Sequence, residues 1–158
     1  MKKQPWKTYL FSILLAEAVG GLSGWLAKDS MAVFNAQVQQ PPLSPPQWVF
    51  PVVWSILYAL MGFSAARIYR SAQSAPRKQG LNLYAVQLIV NFFWTLLFFN
   101  AQAYGFAFLW LLLLWILVLA MILLFRKTDP LAAKLQLPYL LWLTFAAYLN
   151  YGVWILNR

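Results

Sequence analysis

The sequence predicts an all-α integral membrane protein, a bundle of five transmembrane helices. Of its 158 residues, 63% are hydrophobic and 9% are charged, whereas soluble domains carry about 25% charged residues. The apolar residues fall into five runs, each about 20 residues long, which is the length that an α-helix needs to cross a bilayer. Because only short polar segments separate these runs, the chain predicts a single membrane domain over residues 1–158.

The first predicted span covers about residues 8–27 and follows a basic start. A secretory signal peptide is unlike it, because its apolar region is shorter and rarely contains an acid such as Glu17. Gly20 and Gly24 have the spacing that lets two membrane helices approach closely, within the chain or in a homodimer, and internal packing is the favoured use. A charge at mid-span is costly, so Glu17 is either hydrogen-bonded to a neighbouring helix or functional.

A loop is predicted over residues 28–47, and two proline pairs stiffen it. The pairs are Pro41-Pro42 and Pro45-Pro46. Each proline fixes its own φ angle and biases the preceding residue away from helix. The loop is therefore predicted to be a semi-rigid lid.

The second predicted span, about residues 48–69, carries Trp54, Tyr58 and Met61 on one helical face. A stiff lid followed by an aromatic helix face is typical of a ligand pocket. The alternative interpretation is a proline-rich connection before an ordinary membrane helix with interfacial aromatic residues.

The third predicted span, about residues 81–102, has the most polar face. Its stripe consists of Gln87, Asn91, Trp94, Thr95 and Phe98. Lipid cannot form hydrogen bonds with an amide, so these side chains must face other helices or a cavity. Hydrogen bonding between helices would explain both amides as well as ligand binding does.

The remaining spans are predicted at about residues 104–125 and 135–156. The fourth is rich in leucine and is predicted to be a lipid-facing scaffold. A basic loop, RKTDPLAAK, follows it. In the fifth span Trp142, Ala146 and Leu149 recur at i, i+4 and i+7, with Asn150 beside them.

The positions of the charges predict an orientation. With five crossings, the N-terminus and the second and fourth loops share one side, which holds ten of the twelve Lys and Arg residues. By the positive-inside rule, the N-terminus is cytoplasmic, the lid faces outwards and the membrane is the cytoplasmic membrane. The net charge of +9 therefore sets topology, and no nucleic-acid partner is expected.

The composition also limits the chemistry. The chain contains no Cys and no His, which removes thiol nucleophiles, disulfides and the commonest base and metal ligand. No metal site and no obligatory cofactor are predicted.

Three blocks of the sequence resemble the TspO/MBR family, the tryptophan-rich sensory proteins and translocator proteins also known as peripheral-type benzodiazepine receptors. The first block is PPLSPPQWVFPVVWSILYALMG at residues 41–62. The second is the pair Gln87-Leu88 with Asn91 and Trp94, and the third is PYLLWLTFAAYLN at residues 138–150.

The resemblance implies a membrane sensor, associated with stress responses, that binds porphyrins such as protoporphyrin IX and benzodiazepine-type ligands beneath the first loop. By motif position it implies ligand contacts from Trp54, Asn91, Trp94, Phe98, Trp142 and Ala146. The lid and the helix faces described above add Pro45, Pro46, Tyr58, Gln87, Leu149 and Asn150. Without histidine, a tetrapyrrole or another flat apolar molecule would be held by shape and stacking.

Two other functions stay open at this point. One is light- and oxygen-dependent porphyrin breakdown, with Trp54 and Trp142 as the redox-active side chains. The other is transport of porphyrin or another small hydrophobic ligand, with Glu17 as the intramembrane carboxylate. Five helices do not divide into the two repeats of many carriers, although a homodimer would restore symmetry.

Sterol binding is not expected, because the chain departs from the family's cholesterol-recognition pattern. Leu149 and Tyr151 match its first two elements, but Arg158 lies seven residues after Tyr151, one residue beyond the permitted spacing.

Overall fold

The computed structural model describes residues 5–158, and within this range the regular structure is helical. The helices are α1 (Pro5–Gln37), α2 (Val49–Tyr69), α3 (Ala75–Thr95), α4 (Tyr104–Thr128), α5 (Pro130–Leu135) and α6 (Leu137–Leu156). Five helical segments of these described residues are long and apolar enough to cross a membrane. The predicted fold class is confirmed. Lys2 and Lys3, which contribute to the predicted orientation, lie outside the described residues.

The helix pairs α1–α2, α3–α4 and α4–α6 make the most extensive contacts, and α1 also packs against α3. The buried stripe of α4 includes Ala107, Leu111, Leu114, Val118 and Met121, at spacings of three and four residues. The prediction that α4 is a lipid-facing scaffold is therefore only half right. Its outer face is exposed, and its inner face packs against α3 and α6, because leucine suits both lipid and a packed interior.

The first helix is longer than predicted. It continues to Gln37, so the predicted loop boundary at residue 28 is wrong and the lid is confined to residues 38–48. The segment after Lys28 has no glycine or proline before Pro41. Phe34 is buried there against Phe98 and Phe99, with ring centroids 5.3 Å and 5.2 Å away. This packing keeps the end of α1 helical beyond the length that a bilayer requires.

Helix caps place two other boundaries earlier than predicted. The third helix begins at Ala75 because the Ser74 hydroxyl accepts a hydrogen bond from the Arg77 backbone N–H. The predicted basic loop after the fourth span is instead largely helical, because Asp129 caps α5 through the Leu131 N–H. These caps shorten the loops that join the spans.

Gly20 and Gly24 of α1, whose spacing predicts a close approach of two helices, do not contact the backbone of another helix. A Cβ on Gly20 would clash with the Tyr58 ring, whereas a Cβ on Gly24 would meet no atom within 4 Å. The close backbone approach occurs at Gly62 of α2, where a Cβ would lie 2.5 Å from Ile13 Cα. The Ser12 hydroxyl donates a 2.6 Å hydrogen bond to the Gly62 carbonyl there.

Candidate functional site

A cavity of about 140 Å³, here called the lid cavity, lies beneath residues 38–48. Its lining comes from the end of α1, the lid, the start of α2, the end of α3 and α6. The lining residues are Met31, Phe34, Asn35, Gln40, Ser44, Gln47, Phe50, Pro51, Trp94, Phe98, Phe99, Trp142, Ala146, Leu149, Asn150 and Val153. The surface of this cavity is almost entirely apolar and rich in aromatic rings.

One aromatic wall is formed where α3 changes its winding. Residues Leu96–Asn100 form a π-helical turn, in which the Ala101 N–H donates to the Leu96 carbonyl over 2.9 Å. The Trp94 and Phe98 rings stack with centroids 5.1 Å apart and an interplanar angle of 24°. Such local changes of winding recur at functional sites because they redirect side chains. Here the wide turn presents Phe98 and Phe99 to the cavity.

Phe50 and Trp142 form the opposite wall between α2 and α6, and Trp54, which lines the neighbouring cavity, packs against Trp142. The Trp54 and Trp142 rings are perpendicular with centroids 6.5 Å apart, and Phe50 lies 5.9 Å from Trp142. Among the described residues, no group accepts a hydrogen bond from the buried Trp142 Nε1. The wall therefore combines broad apolar surface with one indole donor that the protein leaves unpaired.

Asn150 fixes the stacked wall from behind. Its Oδ1 accepts a 3.1 Å hydrogen bond from Trp94 Nε1, and its Nδ2 donates to the Tyr104 carbonyl over 2.9 Å. Both ends of this buried amide are therefore engaged by protein. Asn150 lines the cavity, but its observed hydrogen bonds position Trp94.

The lid is held down by α6. The Tyr148 hydroxyl donates a 2.7 Å hydrogen bond to the Pro42 carbonyl. Asn157 donates to the Gln39 carbonyl over 2.7 Å and accepts from the Gln39 N–H over 3.1 Å. Pro41 packs so closely on Gly152 that an added Cβ would lie 2.5 Å from it. The lid is thus fastened at several points as well as stiffened by its prolines.

Gln87 and Asn91 lie deeper in the bundle and line neither the lid cavity nor the cavity described next. The Tyr139 hydroxyl donates to Gln87 Oε1 over 2.7 Å and accepts from Asn91 Nδ2 over 2.9 Å. The structure therefore gives these two amides a role in joining α3 to α6. Their predicted role as ligand contacts stays a prediction.

A second cavity of about 490 Å³, the α1–α2 cavity, lies beside the first. It contains Trp54 and Tyr58, which the sequence groups with the ligand site, and Glu17, Gly21 and Gly24 of α1. The two cavities share five lining residues. These are Met31, Asn35, Gln47, Phe50 and Pro51. The cavities are therefore neighbours separated by a thin layer of side chains.

The structure brings together most of the side chains predicted for the ligand site. Trp94, Phe98, Trp142, Ala146, Leu149 and Asn150 line the lid cavity, and Trp54 and Tyr58 line its neighbour. Pro45 and Pro46 lie in the lid, whereas Ser44 and Gln47 on either side of them line the cavity.

Sequence reasoning missed the contribution of α1, namely Met31, Phe34 and Asn35. The spacing of three and four residues from Met31 to Phe34 and Asn35 indicates one helical face. The prediction does not include this face because these residues lie beyond a bilayer-length span.

Comparison of the sequence with known proteins identifies the family to which this chain belongs. A profile of the TspO/MBR family matches residues 12–155. The chain belongs to the TspO/MBR family. It is 39% identical to Protein CrtK of Rhodobacter capsulatus over 150 residues, covering 94% of this chain and 92% of that protein. It is 36% identical to the translocator protein of Ovis aries over 156 residues, covering 98% and 92% of the two chains.

A protein with a different name gives a similar match. The tryptophan-rich sensory protein of Cereibacter sphaeroides is 38% identical over 152 residues, covering 96% of this chain and 92% of its own. The predicted family resemblance is confirmed, as is the integral membrane character that comes with it. Within residues 5–158 no cluster of three or more metal-ligating side chains is found.

Proposed function

We propose that this protein is a membrane-embedded sensor that binds a tetrapyrrole of the protoporphyrin IX type beneath its lid. The same site is proposed to accept benzodiazepine-type ligands. The observation that carries the proposal is the pair of aromatic walls, Trp94 with Phe98 and Phe50 with Trp142, which enclose an almost wholly apolar space. Trp54 contacts Trp142 and lines the adjoining cavity. A flat macrocycle gains both area burial and stacking from such walls.

Cavity size determines how such a ligand would bind. Pockets for drug-sized molecules measure about 300–1,000 Å³. The lid cavity alone, at about 140 Å³, is too small, whereas the adjoining α1–α2 cavity measures about 490 Å³. A tetrapyrrole would therefore occupy both spaces and displace the shared side chains of Phe50 and Gln47. The unpaired Trp142 Nε1 would be available to a carbonyl or carboxylate of the ligand.

The direct test is a titration of the detergent-solubilised protein with protoporphyrin IX. Ala146 lines the lid cavity, so Ala146→Leu should fill part of it and weaken binding by about tenfold or more. The matched control is Ala18→Leu, because Ala18 is exposed on α1 and lines neither cavity. Equal affinities in wild type and Ala146→Leu would place the ligand elsewhere and reject the proposal.

Light-driven breakdown of the bound porphyrin is a second candidate function, favoured by the contact between the Trp54 and Trp142 rings. In this reaction the excited porphyrin and oxygen would supply the oxidising chemistry, and the indoles would be oxidised in turn. Phenylalanine keeps most of the stacking area but is much harder to oxidise. Wild type, Trp54→Phe and Trp142→Phe are therefore illuminated at saturating ligand. Pigment loss confined to wild type would support breakdown. Equal loss in all three proteins would reject breakdown and leave ligand binding as the proposed function.

We also propose that the N-terminus is cytoplasmic and that the lid faces outwards from the cytoplasmic membrane. Arg70, Arg77, Lys78, Arg126 and Lys127 lie at or between the ends of α2, α3 and α4, at the end of the bundle opposite the lid. A reporter that is active only in the cytoplasm should be silent when fused after Arg158 and active when fused between Gln73 and Ser74. The reverse pattern would contradict the orientation.

A further inference from the structure

The α1 side of the α1–α2 cavity is a single helix face. Glu17, Gly20, Gly21 and Gly24 are spaced at i, i+3, i+4 and i+7, and all four line the cavity. A Cβ added to Gly21 or Gly24 would meet no atom within 4 Å. The glycines therefore leave the space beside the Glu17 carboxylate open.

The structure gives this carboxylate no protein partner. Within residues 5–158, Glu17 forms no ion pair and accepts no hydrogen bond, and the ion pair that is found joins Arg67 to Asp129. The two serines of the same cavity are engaged elsewhere, since Ser23 donates to the Gly20 carbonyl and Ser55 to the Pro51 carbonyl. Intramembrane carboxylates are costly and characteristically mark the paths or sites of ions and ligands.

The opposite side of the cavity, on α2, is aromatic. The rings of Trp54 and Tyr58 have centroids 5.6 Å apart. Tyr58 is only 5% exposed, and its hydroxyl has no hydrogen-bond partner among the described residues. Aromatic faces attract organic cations through the ring quadrupole, and the attraction is stronger where water is excluded. An unpaired carboxylate opposite two aromatic rings complements a positive, apolar ligand.

We propose that the α1–α2 cavity binds a lipophilic organic cation, whose charge pairs with Glu17 and whose apolar groups contact Trp54 and Tyr58. A volume of about 490 Å³ suits a drug-sized molecule. The ligand is a free amphiphile and not a lipid headgroup, because Glu17 lies about three turns inside α1, away from the headgroup region. This inference goes beyond the tetrapyrrole proposal, which places part of a ligand of another chemical class in the same cavity. The two ligands would therefore compete, and the cation is tested with no tetrapyrrole present.

The probe is radiolabelled tetraphenylphosphonium, measured by equilibrium binding in dodecylmaltoside with no tetrapyrrole present. This detergent carries no ammonium group that would compete. Glu17→Gln removes the charge with almost no change of shape, and it should weaken binding by about tenfold or more. Neutral triphenylphosphine oxide, used as a competitor, should bind wild type and Glu17→Gln equally well.

Two further variants keep the test decisive. Asp29→Asn removes the other carboxylate of α1, which is exposed and lines neither cavity, and should leave tetraphenylphosphonium binding unchanged. Gly21→Leu should fill the open space and weaken binding of both probes. Unchanged cation affinity in Glu17→Gln would overturn the proposal, as would an equal loss in Asp29→Asn. So would unaltered binding in Gly21→Leu, because the probe would then bind elsewhere.

Discussion

Gln87, Asn91 and Tyr139 show at the scale of single residues how the interior of the bundle satisfies its polar groups. All three side chains are fully buried, and the Tyr139 hydroxyl is bonded to both amides. An unpaired polar group buried in an apolar environment costs more than its hydrogen bond contributes. The two amides therefore specify how α3 and α6 align.

Tyr139→Phe tests this role at a single hydroxyl. The substitution leaves Gln87 Oε1 without its donor, and we expect a loss of about 1–3 kcal/mol in the free energy of unfolding. Tyr151→Phe is the control, because Tyr151 is 48% exposed, and its loss should stay within about 0.5 kcal/mol. Reversible unfolding in mixed detergent micelles measures both variants. Equal stabilities would show that the buried hydroxyl has no net structural role.

At the scale of helices, the bundle depends on close approaches at a few glycines. Gly62 brings α2 against the backbone of α1, and Gly152 receives Pro41 of the lid. Neither position belongs to the GxxxG spacing that the sequence displays in α1. A spacing motif shows where an approach is sterically allowed, whereas the partner helix decides where it takes place.

Gly62→Ala should weaken the α1–α2 pair. The new Cβ would lie 2.5 Å from Ile13 Cα and 2.7 Å from the Ser12 carbonyl oxygen, both of them backbone atoms that cannot rotate away. We expect a loss of about 1–3 kcal/mol in the free energy of unfolding. Gly21→Ala is the matched control in open space, where the better helix propensity of alanine should leave stability unchanged or raise it by up to about 1 kcal/mol. A similar loss in both variants would contradict the packing argument.

Gly152→Ala should act on the lid instead of the bundle. Its Cβ would lie 2.5 Å from the Pro41 side chain, so the start of the lid must lift from α6. Because the lid covers the cavity, we expect protoporphyrin IX to dissociate faster and to bind about tenfold more weakly, with the melting temperature nearly unchanged. Stopped-flow release kinetics would detect the change. An unaltered release rate would mean that the fastening at Gly152 does not control access to the site.

At the scale of the whole molecule, one ion pair ties the end of the bundle opposite the lid. Arg67 Nε lies 2.7 Å from Asp129 Oδ2, and the same carboxylate caps α5. Partial burial acts to raise the pKa of Asp129, but the hydrogen bond and charge of Arg67 outweigh it and hold the pKa below its ordinary value. The ionised carboxylate is therefore the form that the folded state favours.

The sign of this shift gives a pH dependence. A carboxyl group with a lowered folded-state pKa stabilises the fold above its unfolded-state pKa, and the contribution is lost as the pH falls through the folded-state value. Wild type should therefore lose stability on acidification below about pH 4, by about 1 kcal/mol or less for a pair with solvent access. Asp129→Asn should be less stable than wild type at neutral pH and should lose less stability over that range. The melting temperature of each protein is measured as a function of pH. If the two melting temperatures fall by the same amount on acidification, the ion pair contributes nothing.

The sequence by itself determined the membrane class, the five spans, the family and the aromatic character of the site. The class, the spans and the aromatic character depend on composition and on spacing along single helices, and the family follows from the resemblance of three sequence blocks. All of these can be read from a linear chain. Trp94, Phe98, Trp142 and Ala146 were identified in this way, and all four line the lid cavity.

Only the tertiary structure decided which residues face each other. It extended α1 to Gln37, because the rings that bury Phe34 come from the end of α3, more than sixty residues further along the chain. It also engaged the amides of Gln87 and Asn91 with Tyr139, and it left Glu17 beside an open space. The physical reason is that the partners of a buried polar or aromatic group come from other helices, and residue spacing within one helix does not reveal them.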